Sequence, residues 1–163
     1  MTGERARPAW AVGESGFHDA RAGKRLGAVQ TVFLVDERSE RGVLNAFKRG
    51  RMYALRRSGE VALVLTEFTV AGAGGAAGVG ETVAAPAGTP LEIRIRVDAE
   101  GGGFHQVRAS LLRHGEVIAT TTGSTPLTMI HREVAAGTRS FYRMEARVSA
   151  GDYLVANPVF VTP

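Results

Sequence analysis

The residues best suited to chemistry form one polar cluster near the start of the chain, GESGFHD at residues 13–19. His18 and Asp19 are adjacent in it, and Glu14 and Ser15 stand close by. Imidazole nitrogens and carboxylate oxygens are good ligands for divalent ions such as Zn²⁺. We therefore take His18 and Asp19 as candidate metal ligands, in a loop that precedes a predicted strand.

The other three histidines do not indicate a second metal site. His105, His114 and His131 fall on or beside predicted strands, and no two of them have the i, i+4 spacing of a ligand pair on one helix. We expect them to be surface or edge histidines. The chain contains no cysteine, which excludes disulfides and thiolate metal sites.

Two other kinds of site are rejected from the sequence. GAGGAA at residues 72–77 matches a loose dinucleotide pattern, but that pattern needs a helix next, and the following residues contain Pro86 and Pro90 without a helical period. The chain has no G-x-S-x-G nucleophile motif, and Ser110 and Ser124 have no identifiable base.

The charge of the chain is unevenly distributed. Residues 1–58 hold 12 Lys+Arg and 6 Asp+Glu, a net of +6, and residues 59–163 hold 8 and 10, a net of −2, which together give +4. The basic residues are scattered and no aromatic residues alternate with them as stacking platforms. We interpret the basic leader as a solvated surface, and we do not expect nucleic acid as a partner.

Nothing in the sequence predicts membrane insertion. No apolar run approaches the roughly 20 residues of a transmembrane helix. The first residues, MTGERARPAW, lack the apolar core of a signal peptide. We therefore expect a cytoplasmic protein with no membrane partner.

Residues 1–58 are predicted to form one strand and one helix. Trp10 and Val12 could start a short strand, and AVQTVFLV at residues 28–35 is apolar on both faces, which is typical of a parallel strand buried on both sides. A helix follows, capped by Asp36 or Ser39 and ended by Gly50. Its apolar stripe consists of Val43, Leu44 and Phe47.

Residues 59–163 are predicted to form about seven strands separated by turns. LEIRIRVDA and SFYRMEARV alternate apolar and polar residues, and a tight turn at His114-Gly115 indicates an antiparallel hairpin. The glycine-rich residues 72–80 are predicted to be a loop, and Ala150-Gly151-Asp152 a turn. The pattern favours a mainly β fold, an antiparallel β-sandwich.

Four segments of the chain, GESGFHD, AVQTVFLV, VLNAFKRGRMYAL and YLVANPVFV, together resemble the C-terminal part of PHP-type metal-dependent phosphoesterases, the polymerase and histidinol phosphatase superfamily. In that family a distorted α/β barrel ends with a G-x-S-D-x-H segment, a strand containing Thr, a helix and a Gly-Arg element. One branch adds a β-sandwich that ends in an Asn-Pro strand. The matching residues here are Gly13, Ser15, Phe17, His18, Thr31, Leu44, Ala46, Gly50, Arg51, Tyr53, Asn157 and Pro158.

The resemblance implies an immunoglobulin-like antiparallel β-sandwich over residues 59–163, preceded in residues 1–58 by the last strand–helix unit of a barrel or by an N-terminal arm. The family's metal-binding Asp falls at Gly16, and its early His-x-His pair has no counterpart here. A multi-metal site needs several ligands to activate water. We therefore expect no cofactor in this chain and no activity alone, whereas a complete parent protein would bind Zn or Mn.

The first functional hypothesis is a non-catalytic accessory module of a PHP-like phosphoesterase, with a barrel domain or an oligomer mate as its partner. Arg49, Arg51 and Tyr53 would lie at the junction, where they could face an anionic substrate. One alternative is a stand-alone β-sandwich module that binds carbohydrate or protein. The other is a degenerate metal-dependent hydrolase built on His18 and Asp19.

Overall fold

Two sheets with mostly antiparallel pairing make up most of the computed structural model, which describes residues 9–23, 25–57, 61–148 and 152–163. Within these ranges the chain forms a short 3-10 helix, one α-helix and twelve strands. In chain order they are the 3-10 helix Ala20–Ala22, β1 Val29–Phe33, α1 Glu40–Arg49, β2 Met52–Arg56, β3 Leu63–Gly72, β4 Gly75–Ala77, β5 Thr82–Ala84, β6 Pro90–Ala99, β7 Gln106–Arg113, β8 Glu116–Ser124, β9 Leu127–Val134, β10 Ser140–Arg147, β11 Tyr153–Ala156 and β12 Val159–Thr162.

The larger sheet has eight strands and joins the start of the chain to its end. Strands β1, β2, β11 and β10 are neighbours in that order, and β7 and β8 continue the sheet beyond β10. Strands β11 and β12 both pair with β10, at opposite ends of it, with Asn157 and Pro158 between them. Strand β5 pairs with β12, in the one parallel pairing among the described strands.

The smaller sheet has four strands, in the order β4, β3, β6 and β9. Its β3 strand contains a bulge at Thr66, because the register with β6 shifts between Leu65 and Glu67. The extra residue changes which side chains face inward, so Leu65 is buried before the bulge and Phe68 after it. The bulge therefore keeps both ends of a ten-residue strand in contact with the core.

One hydrophobic core lies between the two sheets. The smaller sheet contributes alternate residues of β6, Leu91, Ile93, Ile95 and Val97, all at most 2% exposed. The larger sheet contributes residues such as Leu111, Tyr142, Met144, Leu154 and Val159 to the same cluster. Each fully buried aliphatic side chain contributes about 1.5–3 kcal/mol, so this core supplies the main stabilisation of the sandwich.

The predicted mainly β, antiparallel architecture is confirmed. The alternation predicted for β6 and β10 places the expected residues inward, and His114-Gly115 forms the β7–β8 turn with φ values of 54° and 93°. The prediction that residues 72–80 form a loop is wrong in part, because β4 forms there and pairs with β3. The proposed domain boundary at residues 58 and 59 and the first two residues of the turn at 150–152 lie outside the described residues.

The leader also differs from its prediction. Strand β1 pairs antiparallel with β2, and all five of its residues are only half-buried, so burial on both faces in a parallel sheet is wrong for this chain. Trp10 and Val12 lie in an extended segment that is not part of a strand. Helix α1 is confirmed, and Ser39 rather than Asp36 caps it, because its Oγ accepts from the N–H of Gly42 at 3.0 Å.

A buried tyrosine connects an interior strand of the larger sheet to the edge strand β9 of the smaller sheet. Tyr142 of β10 donates its hydroxyl hydrogen to Glu133 of β9, and Arg113 donates to the same carboxylate at 2.9 Å. Burial and then the bond to Glu133 raise the pKa of Tyr142 to about 12. This pair of contacts joins the two sheets.

Replacement of Tyr142 by Phe should reduce the loss of stability at alkaline pH. An exposed tyrosine has a pKa of about 10, so the unfolded chain releases this proton first. The stabilisation is therefore complete below about pH 10 and is lost as the pH rises through about 12. We expect urea unfolding free energies to fall less steeply with alkaline pH in Tyr142→Phe than in the wild type. An unchanged slope in Tyr142→Phe contradicts the assignment.

Candidate functional site

The end of α1 is fixed by a glycine in the left-handed conformation. Gly50 has φ 70° and ψ 18°. The N–H of Gly50 donates to the carbonyl of Phe47 at 3.2 Å, and the N–H of Arg51 donates to that of Ala46 at 2.9 Å. These two bonds form a Schellman motif. The predicted helix end is confirmed, and the chain turns directly from α1 into β2.

Trp10 packs on this glycine. A Cβ atom on Gly50 would lie 2.4–2.6 Å from three atoms of the indole ring, so only glycine fits. The indole Nε1 donates to the carbonyl of Lys48 at 3.3 Å. The ring also meets Phe160 of β12 edge-on, with centroids 6.0 Å apart. Trp10 thus connects the end of α1 to the outer face of the larger sheet.

Asn157 holds the next residue of the leader. Its side chain is fully buried and both of its polar atoms bond to Ala11, Oδ1 accepting from the N–H at 2.8 Å and Nδ2 donating to the carbonyl at 3.2 Å. Its own N–H donates to the carbonyl of Met52 at 3.3 Å. One side chain therefore joins the leader, the start of β2 and the break between β11 and β12.

A second reciprocal contact follows two residues later. The N–H of Gly13 donates to Oγ1 of Thr31 at 2.8 Å, and that hydroxyl donates to the carbonyl of Gly13 at 3.0 Å. A Cβ on Gly13 would lie 2.3 Å from the carbonyl oxygen of Gln30. The backbone at Gly13 therefore lies directly on β1, too close to it for a side chain at this position.

Arg51, the residue after Gly50, forms ion pairs at the turn from α1 into β2. Its guanidinium donates to both oxygens of Asp36, at 2.9 and 3.1 Å, and lies 3.8 Å from Glu81. The hydrogen bonds with Arg51 lower the pKa of Asp36, and the same contact raises the pKa of Arg51 against the opposing effect of burial. Because Asp36 is largely exposed, we expect the pair to contribute little to stability.

A cleft of about 340 Å³ opens beside this ion pair. Its lining comes from the loop after β1, one side of α1 and the start of β2, and it consists of Leu34, Val35, Asp36, Glu37, Gly42, Asn45, Ala46, Arg49 and Arg51. Two arginines and two carboxylates give it a balanced charge. The cleft can therefore accept a small polar group, but its electrostatics do not select strongly for an anion.

The three residues predicted to face a substrate, Arg49, Arg51 and Tyr53, lie in different environments in the structure. Arg49 and Arg51 both line the cleft, but the guanidinium of Arg51 is already engaged by Asp36. Tyr53 is 3% exposed and belongs to the core, where burial raises its pKa. Its ring faces the interior of the sandwich, which leaves Arg49 as the predicted residue best placed to meet a ligand.

The predicted metal residues lie at the surface. His18 and Asp19 are both exposed, and Asp19 accepts from the N–H of Arg21 at 2.9 Å at the start of the 3-10 helix. Arg21 also forms an ion pair with Asp19 at 3.3 Å. In the part of the chain that the structure describes, no three His, Asp or Glu side chains converge on one point. The geometry therefore supplies at most two ligands here.

Sequence reasoning missed the residues that hold residues 10–13 against α1 and the larger sheet. Thr31 and Asn157 were noted only as matches to the PHP-type pattern, and Trp10 was assigned to a strand. The sequence signal for this region is Asn157-Pro158 between two apolar segments near the end of the chain. Proline interrupts the hydrogen-bond ladder of a sheet, so the pair indicates a break between two strands. The contact with Ala11 spans 146 residues and has no local sequence signal.

Comparisons with known proteins give no family for this chain. No protein-family model matches it, and no curated protein matches it. One matching solved structure is an engineered protein, 19% identical, with a TM-score of 0.35 over 60% of this chain and 20% of that chain. The aligned part is thus about a fifth of that protein's length, and a similarity this weak carries no conclusion about fold or function. No helix among the described residues has the length and apolar character needed to cross a membrane.

Replacement of Gly50 by Ala should displace Trp10, the only tryptophan of the chain. A left-handed conformation costs an alanine about 1–2 kcal/mol, and here the new methyl group also overlaps the indole ring. Gly88→Ala is the matched control, because Gly88 has φ 82° but nothing within 4 Å of the added Cβ. We expect both variants to lose stability in thermal denaturation, and Gly50→Ala alone to shift tryptophan emission to longer wavelength. Identical emission in the two variants would contradict the packing described.

Replacement of Asn157 by Ala should release the leader from the sheet. The change leaves the N–H and carbonyl of Ala11 without their partner, at a cost of about 1–3 kcal/mol. Thermal denaturation should show the loss, and collisional quenching of Trp10 by acrylamide should increase. Asn45→Ala, at an exposed position of α1, is the control and should leave both measurements near wild type. A loss of stability without any change in quenching would show that the hydrogen bonds between Asn157 and Ala11 do not hold Trp10 in place.

Proposed function

We propose that this chain is a non-catalytic accessory module of a PHP-type metal-dependent phosphoesterase. In this proposal the sandwich is of immunoglobulin-like type, and β1 with α1 is the last strand–helix unit of the neighbouring α/β barrel. The observation that carries the proposal is the uncovered apolar stripe of α1. Val43, Leu44 and Phe47 form the apolar stripe predicted from the sequence, and they are 38%, 49% and 48% exposed.

The chemistry of this surface suits another strand–helix unit. Among the described strands β1 is the terminal strand of its sheet, so no described strand pairs with its outer edge, and α1 lies beside it. A barrel strand would satisfy the edge by pairing with it, and the barrel helix next to that strand would cover the stripe of α1. Both needs are met at once by an α/β partner, which favours a barrel over a flat protein surface.

The proposal also assigns the chemistry to the partner. A PHP-type centre needs several His and Asp ligands, and His18 is the residue of this chain that matches the family pattern, with Gly16 where the family has Asp. The barrel would hold the Zn or Mn ions and supply the other ligands. The sandwich would order the rim of the barrel, with Arg49 at the junction.

Mutation of the α1 stripe tests the docking. The double variant Leu44→Gln/Phe47→Gln should bind a PHP-type barrel, prepared without its own accessory domain, at least about tenfold more weakly than the wild type, since each buried apolar side chain contributes about 1.5–3 kcal/mol. Ile130→Gln/Val134→Gln on β9 removes two comparably exposed apolar residues and should bind as the wild type does. Isothermal titration calorimetry measures both. Equal affinity of the two double variants, or no binding by the wild type, would contradict the proposal.

Metal and activity assays of the isolated chain separate this proposal from an active hydrolase. We expect no stoichiometric Zn or Mn by elemental analysis and no hydrolysis of p-nitrophenyl phosphate. Stoichiometric metal that is lost on His18→Ala, together with hydrolysis, would replace the accessory role by a site built on His18 and Asp19.

A further inference from the structure

A row of basic side chains crosses the outer face of the larger sheet. Residues directly opposite each other on antiparallel strands point to the same face. Arg56 of β2 pairs with Tyr153 of β11, Tyr153 with Arg147 of β10, and Arg147 with Arg108 of β7. The row continues to Thr122 of β8, which pairs with Arg108. All three arginines of the row are exposed, whereas their chain neighbours Leu55, Ala109 and Ala146 are buried in the core.

Two of these three arginines are not neutralised within the described chain. Arg56 and Arg108 form no ion pair with a described residue, and Arg147 meets Glu145 at 3.2 Å. On the same face of β10, Arg143 has a buried Nε atom without a hydrogen-bond partner among the described residues. Like charges opposite each other, as at Arg147 and Arg108, weaken a sheet. The row therefore carries an electrostatic cost that Glu145, beside Arg147, offsets only in part.

The outer face of the smaller sheet has the opposite arrangement. Glu92 lies 2.7 Å from Arg94 and 2.6 Å from Arg132, and Arg96 pairs across the strands with Glu67. The two arginines lower the pKa of Glu92. Arginines on that face thus alternate with carboxylates, and the excess of positive charge is specific to the larger sheet.

We propose that this row, called here the arginine row, binds an acidic polysaccharide, one that carries uronate carboxylates. Arg56 and Arg108 are three strand spacings apart, about 14 Å, so the row suits an extended chain lying across the strands. Guanidinium groups bind carboxylates through two parallel hydrogen bonds. The hydroxyls of Thr122, Ser110 and Thr120 lie on the same face, the last two 3.4 Å apart, and can bond to sugar hydroxyls.

Two observations favour a polysaccharide over single-stranded nucleic acid. Stacking of bases needs an aromatic ring with a free face, and one face of Tyr153, the aromatic residue of the row, is occupied by the guanidinium of Arg147 at 5.2 Å from the ring centroid. The hydroxyl-rich neighbours of the arginines offer hydrogen bonds suited to sugars instead. The arginine row is independent of the surface of α1, so this inference does not rest on the proposed docking to a barrel.

Paired variants test the arginine row. We expect the wild-type chain to bind polygalacturonate and not neutral dextran, as measured by biolayer interferometry at about 0.15 M salt, where long-range charge effects are screened. Arg108→Gln/Arg147→Gln should weaken binding at least about tenfold. Arg94→Gln/Arg96→Gln on the smaller sheet removes the same charge and should change affinity less than about twofold. Thermal denaturation of both pairs should show folded protein, because all four side chains are exposed.

Three outcomes would overturn the inference. The first is no binding of polygalacturonate by the wild-type chain. The second is an equal loss in the two double variants, which would mean that net charge alone is responsible. The third is tighter binding of oligo-dT than of polygalacturonate with the same dependence on Arg108 and Arg147, which would assign the row to nucleic acid.

Discussion

The side-chain amide of Asn157 is the contact on which the arrangement of the leader depends. A buried amide is costly unless its donor and acceptor are both satisfied, and the backbone of Ala11 satisfies both. Because Asn157 lies between β11 and β12, the contact fixes the leader at the one place where strand pairing along β10 is interrupted. Trp10, one residue earlier, is thereby brought onto Gly50, and the end of α1 is held against the sheet.

Close contacts that leave no room for a Cβ are the physical reason for three of the glycines near the turn from α1 into β2 and on β1. A Cβ on Gly80 would lie 2.3 Å from the carbonyl oxygen of Arg49, just as one on Gly13 would meet Gln30 and one on Gly50 would meet Trp10. The loop before β5 and the helix end therefore approach each other closely at Gly80 and Gly50, and the indole ring of Trp10 packs on Gly50. This convergence explains how a short helix with an exposed apolar stripe keeps a defined position on the sandwich.

The features predicted correctly from the sequence are those that depend on residues close together in the chain. The alternation of β6 and β10, the hairpin at His114-Gly115 and the helix end at Gly50 each depend on a few neighbouring residues, and all were found. The bulge at Thr66 and the short β4 and β5 strands depend on pairing partners and were missed. The burial of Tyr53 and the clamp at Asn157 depend on contacts far apart in the chain, which a single sequence does not reveal.

The surfaces of the sandwich depart from what stability alone would select, and they do so in two different ways. An apolar stripe on α1 gains nothing from contact with water, and arginines that face each other in one cross-strand row repel each other. The smaller sheet shows that the same chain can interleave charges when only folding is at stake, as around Glu92. Departures from local consistency concentrate at functional surfaces. An apolar surface next to an edge strand suits a permanent protein neighbour, whereas a solvated row of arginines suits a ligand that exchanges, so the two proposals concern two chemically distinct surfaces.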